Sequence, residues 1–274
     1  MNNRRSKMQL TIRKELPADY RAVEALTRDA FWGWGENPMC DGEHLIVHRL
    51  RESMDIVPEL DFVAEANGML VGHIIYAKAQ ILSPGGQKTE VLTFGPLSVL
   101  PHCQKQGIGG ALLRHSIQEA ARLGYRAVVI YGHPDYYPRF GFRPALAFHL
   151  TSPDGSSPDA LMALELYAGA LNGVRGKFYE SSVYEVKPEE VAEFDKGFPP
   201  KEPARLLPIE ALTDQLPAPA REAFLHHNLR YVGTLLRFSA RELLAWEGMD
   251  KAGLRAVNKA LSALGYPEKR MTAE

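Results

Sequence analysis

Cysteine is scarce in this chain. Its 274 residues hold two, Cys40 and Cys103. Two cysteines make neither a disulfide framework nor the paired spacing of a structural metal site, so a disulfide-stapled scaffold and a zinc ribbon are excluded and a reducing, cytoplasmic setting is expected. A dominant charge of one sign is also missing: 32 Lys and Arg stand against 33 Asp and Glu, a net of −1 at neutral pH. That balance gives no global attraction to nucleic acid or to an anionic membrane, and any such binding is local. No run of about 18 apolar residues occurs, so no membrane-spanning helix is expected. The basic opening MNNRRSKMQL lacks the apolar stretch of a secretory signal. No Gly-Lys-Ser/Thr follows a glycine loop, which excludes a Walker A phosphate site, and the G-x-G-x-x-G dinucleotide fingerprint is not met. What remains is a chain with 45% hydrophobic residues, enough for a real core, and a length that suits one large or two smaller domains.

The most informative stretch is VLTFGPLSVLPHCQKQGIGGAL, residues 91–112. Val, Leu, Thr and Phe over 90–99 predict a strand. Gly95-Pro96 interrupts it. Proline donates nothing to a sheet ladder and an interior glycine often marks a bulge, so the strand is expected to bend or splay there. A splayed strand exposes unpaired N–H and C=O groups, to which an extended, amide-bearing ligand such as pantetheine can add as a further strand does. The loop Gln104-Lys105-Gln106-Gly107-Ile108-Gly109-Gly110 follows. Ala111, Leu112, Leu113, Ile117 and Ala120 carry helical spacing, so the loop opens a helix. A helix N-terminus offers free N–H groups and about half a positive charge, which suits phosphate. Lys105 adds a point charge.

Elsewhere, residues 9–13 read as a first strand and 17–31 and 43–53 as amphipathic helices. Residues 61–66 and 70–81 form a hairpin around Asn67-Gly68, a pair that favours positive φ. Phe31-Trp32-Gly33-Trp34-Gly35 is an aromatic turn. The helix opened at Gly107 ends near Gly124, a C′ residue. Residues 126–131 form a buried strand parallel to 90–99, because strand, helix, strand at this spacing is a crossover. Residues 134–140 are a short helical turn, 147–151 and 161–167 a closing hairpin, 173–186 a further strand pair, and 191–194 a helical turn. The proline-dense GFPPKEPARLLP reads as a linker. Beyond it the pattern is helical: Ser239 and Glu242 make a capping box, Asp250 caps a helix over 251–264, and Gly265 ends it. The expected division is a domain over 1–198, a linker over 199–207 and a helical domain over 208–274.

Gln104-Lys105-Gln106-Gly107-Ile108-Gly109 resembles the Arg/Gln-x-x-Gly-x-Gly/Ala signature of the GCN5-related N-acetyltransferases, the GNAT family. GPLSV at 95–99 and Tyr137-Pro138-Arg139-Phe140-Gly141-Phe142 look like that family's fourth strand and its Tyr-x-x-x-Gly-Phe segment, in the family's order and spacing. The run GHPDYYPRFGF is similar to the YhbS-like branch. The resemblance covers about residues 8–195. It implies an α/β (α+β mixed) acyl-CoA N-acyltransferase fold with a splayed mixed sheet, acetyl-CoA as co-substrate, no metal, and an amine acceptor on a small molecule or a protein.

The resemblance also assigns roles. The backbone of Leu97, Ser98 and Val99 faces the pantetheine and thioester, with the amide of Leu97 or Val99 as oxyanion donor. Gln104, Lys105, Gln106, Gly107, Ile108, Gly109, Gly110 and Ala111 cradle the pyrophosphate. Tyr137 is the general acid, and His133, Tyr136, Tyr137 and Phe140 line the coenzyme A on that segment. His133 stands in Gly132-His133-Pro134, where the family carries an asparagine. A phenol with a pKa of about 10 stays protonated near neutrality and can donate to a thiolate of pKa about 8.5; Tyr136 is the alternative acid. Trp32 and Trp34 read as core residues first, and in the resembled family this region often walls the acceptor pocket, which leaves a substrate role as the alternative. Glu65, His73, Glu90 and His133 are open candidates for a base, and a water chain serves in many members.

Residues 208–274 resemble the C-terminal domain of the bacterial RNA polymerase α subunit, a helix-hairpin-helix module. Tyr231-Val232-Gly233-x-Leu235-Leu236, Glu242-Leu243-Leu244 and residues 251–261 carry the likeness. In that family the hairpin and the helix before it grip DNA phosphates and the minor groove. Here Asp250 replaces the hairpin's second glycine and puts negative charge where phosphate would sit. Pro219 and Glu222 fall where the family has its DNA-contacting arginine and asparagine. A protein-docking or packing role is therefore expected ahead of DNA binding, with Lys251, Arg255 and Lys259 as a solvated basic face. Two readings of the whole chain follow: an acetyl-CoA-dependent N-acetyltransferase, or a coenzyme A-binding sensor acting through its helical C-terminal domain.

Overall fold

A computed structural model describes residues 9–33, 39–201, 207–227, 229–235 and 238–264. Trp34 and Gly35 of the aromatic turn, linker residues 202–206, Leu236 and Gly265 lie outside the described residues. The chain divides into two compact units. The larger comprises residues 1–32, 40–131 and 142–201; the smaller comprises 33–39, 132–141 and 202–274.

The larger unit is built on a mixed sheet. Its strands are β1 (Leu10–Lys14), β2 (Phe62–Ala66), β3 (Met69–Leu82), β4 (Lys88–Val99), β5 (Ala127–Tyr131), β6 (Arg143–Pro144), β7 (Leu150–Thr151), β8 (Leu161–Glu165) and β9 (Gly176–Tyr179). The spatial order is β1-β2-β3-β4-β5-β8-β6, with β9 pairing β3 and β7. Its helices are α1 (Tyr20–Ala30), α2 (Glu43–Glu52), α3 (Ile108–Arg122) and α4 (Pro188–Asp195). The β2–β3 turn takes Asn67 at φ 51° and Gly68 at φ 77°, the doubly positive geometry that an Asn-Gly pair tolerates.

Alternation along β3 splits the core. Ile75 and Ala77 face Val23, Val47, Leu50 and Val63 on the side of α1 and α2. Tyr76 points the other way and its hydroxyl meets Ser116 Oγ of α3 at 2.9 Å. Gly72 lets α3 close on the sheet, since a Cβ there would lie 3.0 Å from Leu112 Cδ1 and 3.2 Å from Ile108 Cγ2. The end of α3 is a Schellman motif: Tyr125 N–H donates to the Ala120 carbonyl and Gly124 N–H to that of Ala121, with Gly124 at φ 85°. Among the described residues, no helix is long and apolar enough to cross a membrane.

Two expectations about the sheet are corrected. Residues 147–151 and 161–167 do not form a hairpin: β8 pairs antiparallel with β5 and β6, and β7 pairs parallel with β9. The chain leaves β6 through a 3-10 turn, Ala145–Phe148, that ends on His149 at φ 58°. Ala145, Leu150, Leu161 and Phe178 all enter one buried cluster, and their apolar spacing does not specify which strand pairs with which. Residues 173–186 hold one strand, β9, rather than two. Gly176 starts it at φ 143°, where a Cβ would overlap the Leu82 carbonyl, a contact only glycine permits. Ser181 then caps a 3-10 turn, Ser182–Tyr184, by accepting the Val183 N–H.

The smaller unit contains α5 (Glu210–Thr213), α6 (Ala218–His226), α7 (Val232–Leu235), α8 (Ala240–Leu244) and α9 (Lys251–Ala263). They close on Leu212, Phe224, Val232, Leu243, Trp246, Val257 and Leu261. The expected capping box is present: Ser239 Oγ accepts the Glu242 N–H at 3.1 Å, and Glu242 Oε2 accepts the Ser239 N–H at 2.6 Å. Asp250 Oδ1 accepts the Gly253 N–H at 2.6 Å and caps α9. Gly248, at φ 84°, passes so close to α6 that a Cβ would lie 2.7 Å from the Pro219 carbonyl oxygen.

Candidate functional site

The sheet opens at β4. Across to β3 it stays paired as far as Val99 against Gly72. Across to β5 the parallel ladder is one pair, Leu92 against Val128. Beyond Leu92, among the described residues, no pairing with β5 continues along β4, and its β5-facing edge is open to an added strand. The expected bulge is also there. Tyr76 stands opposite Phe94 and Ile74 opposite Leu97, so Gly95 and Pro96 together face Ile75. The peptide between them is cis. Leu97 and Val99 are half-buried, while Ser98 is fully buried and its Oγ donates to Thr27 Oγ1 of α1 at 3.0 Å. Side chains alternate here, so Ser98 offers the open edge its backbone alone.

From β4 the chain makes a 3-10 turn, Pro101–Cys103, and enters the glycine loop. Gln104 Nε2 donates back to the Val99 carbonyl at 3.1 Å and Gln106 Nε2 to the His102 carbonyl at 3.0 Å. Both glutamines thus brace the loop. Lys105 at φ 61° and Gly107 at φ 86° bracket Gln106 in left-handed conformation. Gly107 is the N-cap of α3, and the first helical bond runs from Ala111 N–H to its carbonyl. The N–H groups of Ile108, Gly109 and Gly110 precede that ladder, as helix-start amides do. Ile108 and Gly110 are buried, whereas Gly107 is exposed and a Cβ there would meet nothing within 4 Å. Cys103 is a buried free thiol.

The Tyr-x-x-x-Gly-Phe segment follows β5 in the chain. Tyr137–Phe140 is a 3-10 turn closed by Gly141 at φ 93°. The Tyr136 ring stands perpendicular to that of Tyr137 at 5.1 Å and lies 5.3 Å from Phe140. The Arg139 guanidinium covers it at 4.7 Å. Burial, with Tyr136 adding to it, pushes the Tyr137 phenol above its ordinary value, which keeps it protonated.

The four candidate bases have other occupations. Glu65 holds Arg13 at 2.7 Å. Glu90 is exposed, 4.0 Å from Lys78. His133 Nδ1 accepts the Asp135 N–H at 3.3 Å. His73 is fully buried, its Nε2 2.9 Å from Asp61 Oδ1 and 3.8 Å from Glu15 Oε1, and burial holds it down at about 4. Glu15, Asp61 and His73 bring one ligand atom each within 4.8 Å of one another, a spacing that suits a metal. Arg51 already supplies their positive charge, at 2.6 Å from Glu15 Oε1. Trp32 lies under the Arg28 guanidinium at 4.4 Å.

One acid escaped the sequence reading. Glu180, just past β9, accepts a hydrogen bond from Thr93 Oγ1 of β4 at 3.3 Å, and burial raises its carboxyl. It belongs to no motif, and only the fold brings it to β4.

Residues 59–144 match the family model described as the acetyltransferase (GNAT) domain. The uncharacterized N-acetyltransferase YhbS of Escherichia coli K12 is 30% identical over 168 residues, which make up 61% of this chain and 93% of YhbS. The chain belongs to the GNAT family of N-acetyltransferases. YjhQ, an uncharacterized N-acetyltransferase of the same organism, is 35% identical over 100 residues; these are 36% of this chain, and the chain spans 54% of YjhQ. The crystal structure of E. coli YhbS in complex with CoA aligns with this acetyltransferase at a TM-score of 0.56 and 29% identity, covering 65% of this chain and 93% of that one. A GNAT acetyltransferase of Brucella melitensis, in complex with acetyl-CoA, aligns at 0.53 and 28% identity over 65% of this chain and 100% of that one.

Proposed function

We propose that this N-acetyltransferase takes acetyl-CoA along the open edge of β4 and the start of α3, and passes the acetyl group to a primary amine of a small molecule or protein. The parting of β4 from β5 after a single ladder pair carries the reading. Pantetheine amides add to the free edge as a strand would. The thioester carbonyl meets the backbone amide of Leu97 or Val99, which stabilises the oxyanion. The pyrophosphate rests on the amides of Ile108, Gly109 and Gly110 at the positive end of α3, with Ala111 behind them and Lys105 beside them. Gln104 and Gln106 hold the loop in shape. Tyr137 keeps the acid role that its motif implies, with His133, Tyr136 and Phe140 contributing to coenzyme A binding on that segment. Glu15, Asp61, His73 and Arg51 form a structural network, and no metal enters the reaction.

Tyr137→Phe tests the chemistry. Free-thiol release from acetyl-CoA, with pooled amines, amino acids and peptides as acceptors, should fall at least about tenfold in kcat, while acetyl-CoA affinity by calorimetry stays within about twofold. Equal turnover by the two proteins would remove Tyr137 from the mechanism. Binding of acetyl-CoA without thiol release by any acceptor would favour the sensor.

Residues 208–274 form, in this reading, a helix-hairpin-helix module joined by the linker over 199–207 to a catalytic domain over 1–198. The Asp250 carboxylate occupies the first turn of α9 by accepting the Gly253 N–H. That amide is thereby taken, and the charge repels phosphate. This supports docking on a protein rather than on nucleic acid.

A further inference from the structure

Glu180 and its surroundings have a chemistry of their own. Thr93, its hydrogen-bond donor, is fully buried in β4 two residues before Gly95. It stands opposite Ala77 of β3, on the face covered by α1 and α2. Tyr184, four residues beyond Glu180, brings its ring Cε1 to 3.6 Å from where a Gly95 Cβ would be. Its hydroxyl is buried, and among the described residues nothing hydrogen-bonds to it. Buried hydroxyls are normally satisfied, so this one points to a missing partner.

The charges around Glu180 are informative. Burial raises the phenols of both Tyr184 and Tyr131, the last residue of β5, and the Glu180 carboxylate adds to it in each case. The carboxylate thus acts on β4, through Thr93, and on the end of β5, the two strands that part. Asp55 adds negative charge toward Tyr184, and Asp154 toward Tyr131. No cation pairs with Glu180 among the described residues. A largely buried carboxylate without a cation is unfavourable unless function keeps it.

We propose that Glu180 and Tyr184 form the acceptor subsite, selecting amines that arrive as primary ammonium ions and taking the proton that must leave before attack. This rests on the acetyl-CoA reading above. The ammonium docks on the Glu180 carboxylate, and the Tyr184 oxygen accepts a second N–H. One proton passes to Glu180 and frees the nitrogen lone pair. The C–N bond forms at the thioester carbonyl carbon and the C–S bond breaks. The nitrogen sheds one further proton, which replaces the one Tyr137 gives to the departing thiolate. Glu180 returns its own proton to water as the amide leaves.

Rates with acetyl-CoA would be compared for alkylamines, spermidine, amino acids and lysine peptides, and for p-anisidine, an amine uncharged at neutral pH. In Glu180→Gln, kcat/KM for the cationic acceptors should fall about a hundredfold, with acetyl-CoA affinity by calorimetry unchanged. Wild-type kcat/KM should fall as pH drops through the raised Glu180 titration, because the protonated acid neither attracts ammonium nor takes a proton. That limb should vanish in Glu180→Gln and return in Glu180→Asp, which a packing role would not produce. Tyr184→Phe should raise the amine KM several-fold with kcat retained. A Glu180→Gln enzyme with wild-type kcat/KM and an intact acid limb overturns the proposal. So does a wild type that uses p-anisidine as well as the cationic amines. Failure of the wild type to bind acetyl-CoA would instead strike the broader reading.

Discussion

Gly107→Glu should lower acetyl-CoA affinity about a thousandfold and leave the fold in place. A carboxylate at the N-cap of α3 would lie at the amides proposed to meet the pyrophosphate. Two like charges about 4 Å apart near a protein surface repel by about 4 kcal/mol, roughly three powers of ten. The fold should tolerate the change. Gly107 sits at φ 86°, which disfavours a Cβ by about 1–2 kcal/mol, and a negative charge at a helix N-terminus returns about 0.3–1 kcal/mol. Space is not limiting, since nothing lies within 4 Å of the added Cβ. Gly107→Ala carries the same backbone strain without the charge, so calorimetry should find it within about tenfold of wild type. Equal affinity of the glutamate variant and the wild type would sink the phosphate assignment altogether.

The loop was legible in the sequence because each of its requirements is local. The helix start at Gly107, the bulge at Gly95-Pro96 and the glycine terminator of α3 are each set by a residue and its immediate neighbours. The same holds for the Asn67-Gly68 turn and the Ser239 capping box. Pairing is not local. Leu150 of the 147–151 segment is buried, yet its strand pairs with β9, twenty-six residues on, because a 3-10 turn redirects the chain first. Glu180 was hidden for the same reason. A lone glutamate after a short strand has no local signature, and its meaning comes from Thr93, eighty-seven residues earlier, and from the Tyr184 hydroxyl, to which no described residue hydrogen-bonds. His73 was an open candidate for a base by residue type alone; its partners Asp61 and Glu15 come from outside β3 and hold it in a buried cluster, which no local pattern announces.

Arg51→Met should cost the larger unit about 3–5 kcal/mol at pH 8, the effect of stripping the partner from a buried charge. The Arg51 side chain is 5% exposed and lies 2.6 Å from Glu15 Oε1 and 3.0 Å from Glu24 Oε1, two carboxylates that are themselves 1% and 7% exposed. It also covers the Tyr20 ring at 4.2 Å, so methionine keeps part of the packing and removes the charge. The loss should depend on pH. Burial raises Glu15 to about 7 and Asp61 to about 6. Such groups hold protons more tightly folded than unfolded, so their contribution is full below the unfolded values and fades as pH rises through 6 and 7. His73, held at about 4, has the opposite slope: its contribution is full above about 6.5 and fades as pH falls toward 4. In the wild type the two slopes oppose one another between about pH 4.5 and 6.5. Without Arg51 the carboxyl groups titrate higher still, and the alkaline loss deepens. Urea unfolding should therefore show a larger deficit for Arg51→Met at pH 8 than at pH 5.5, with an unchanged denaturant slope. Arg51→Lys should fall between the two proteins, because one ammonium replaces a planar fork that serves two carboxylates at once. A deficit below about 1 kcal/mol, equal at both pH values, would mean that Glu15 and Glu24 are solvated rather than held in the buried network the geometry describes.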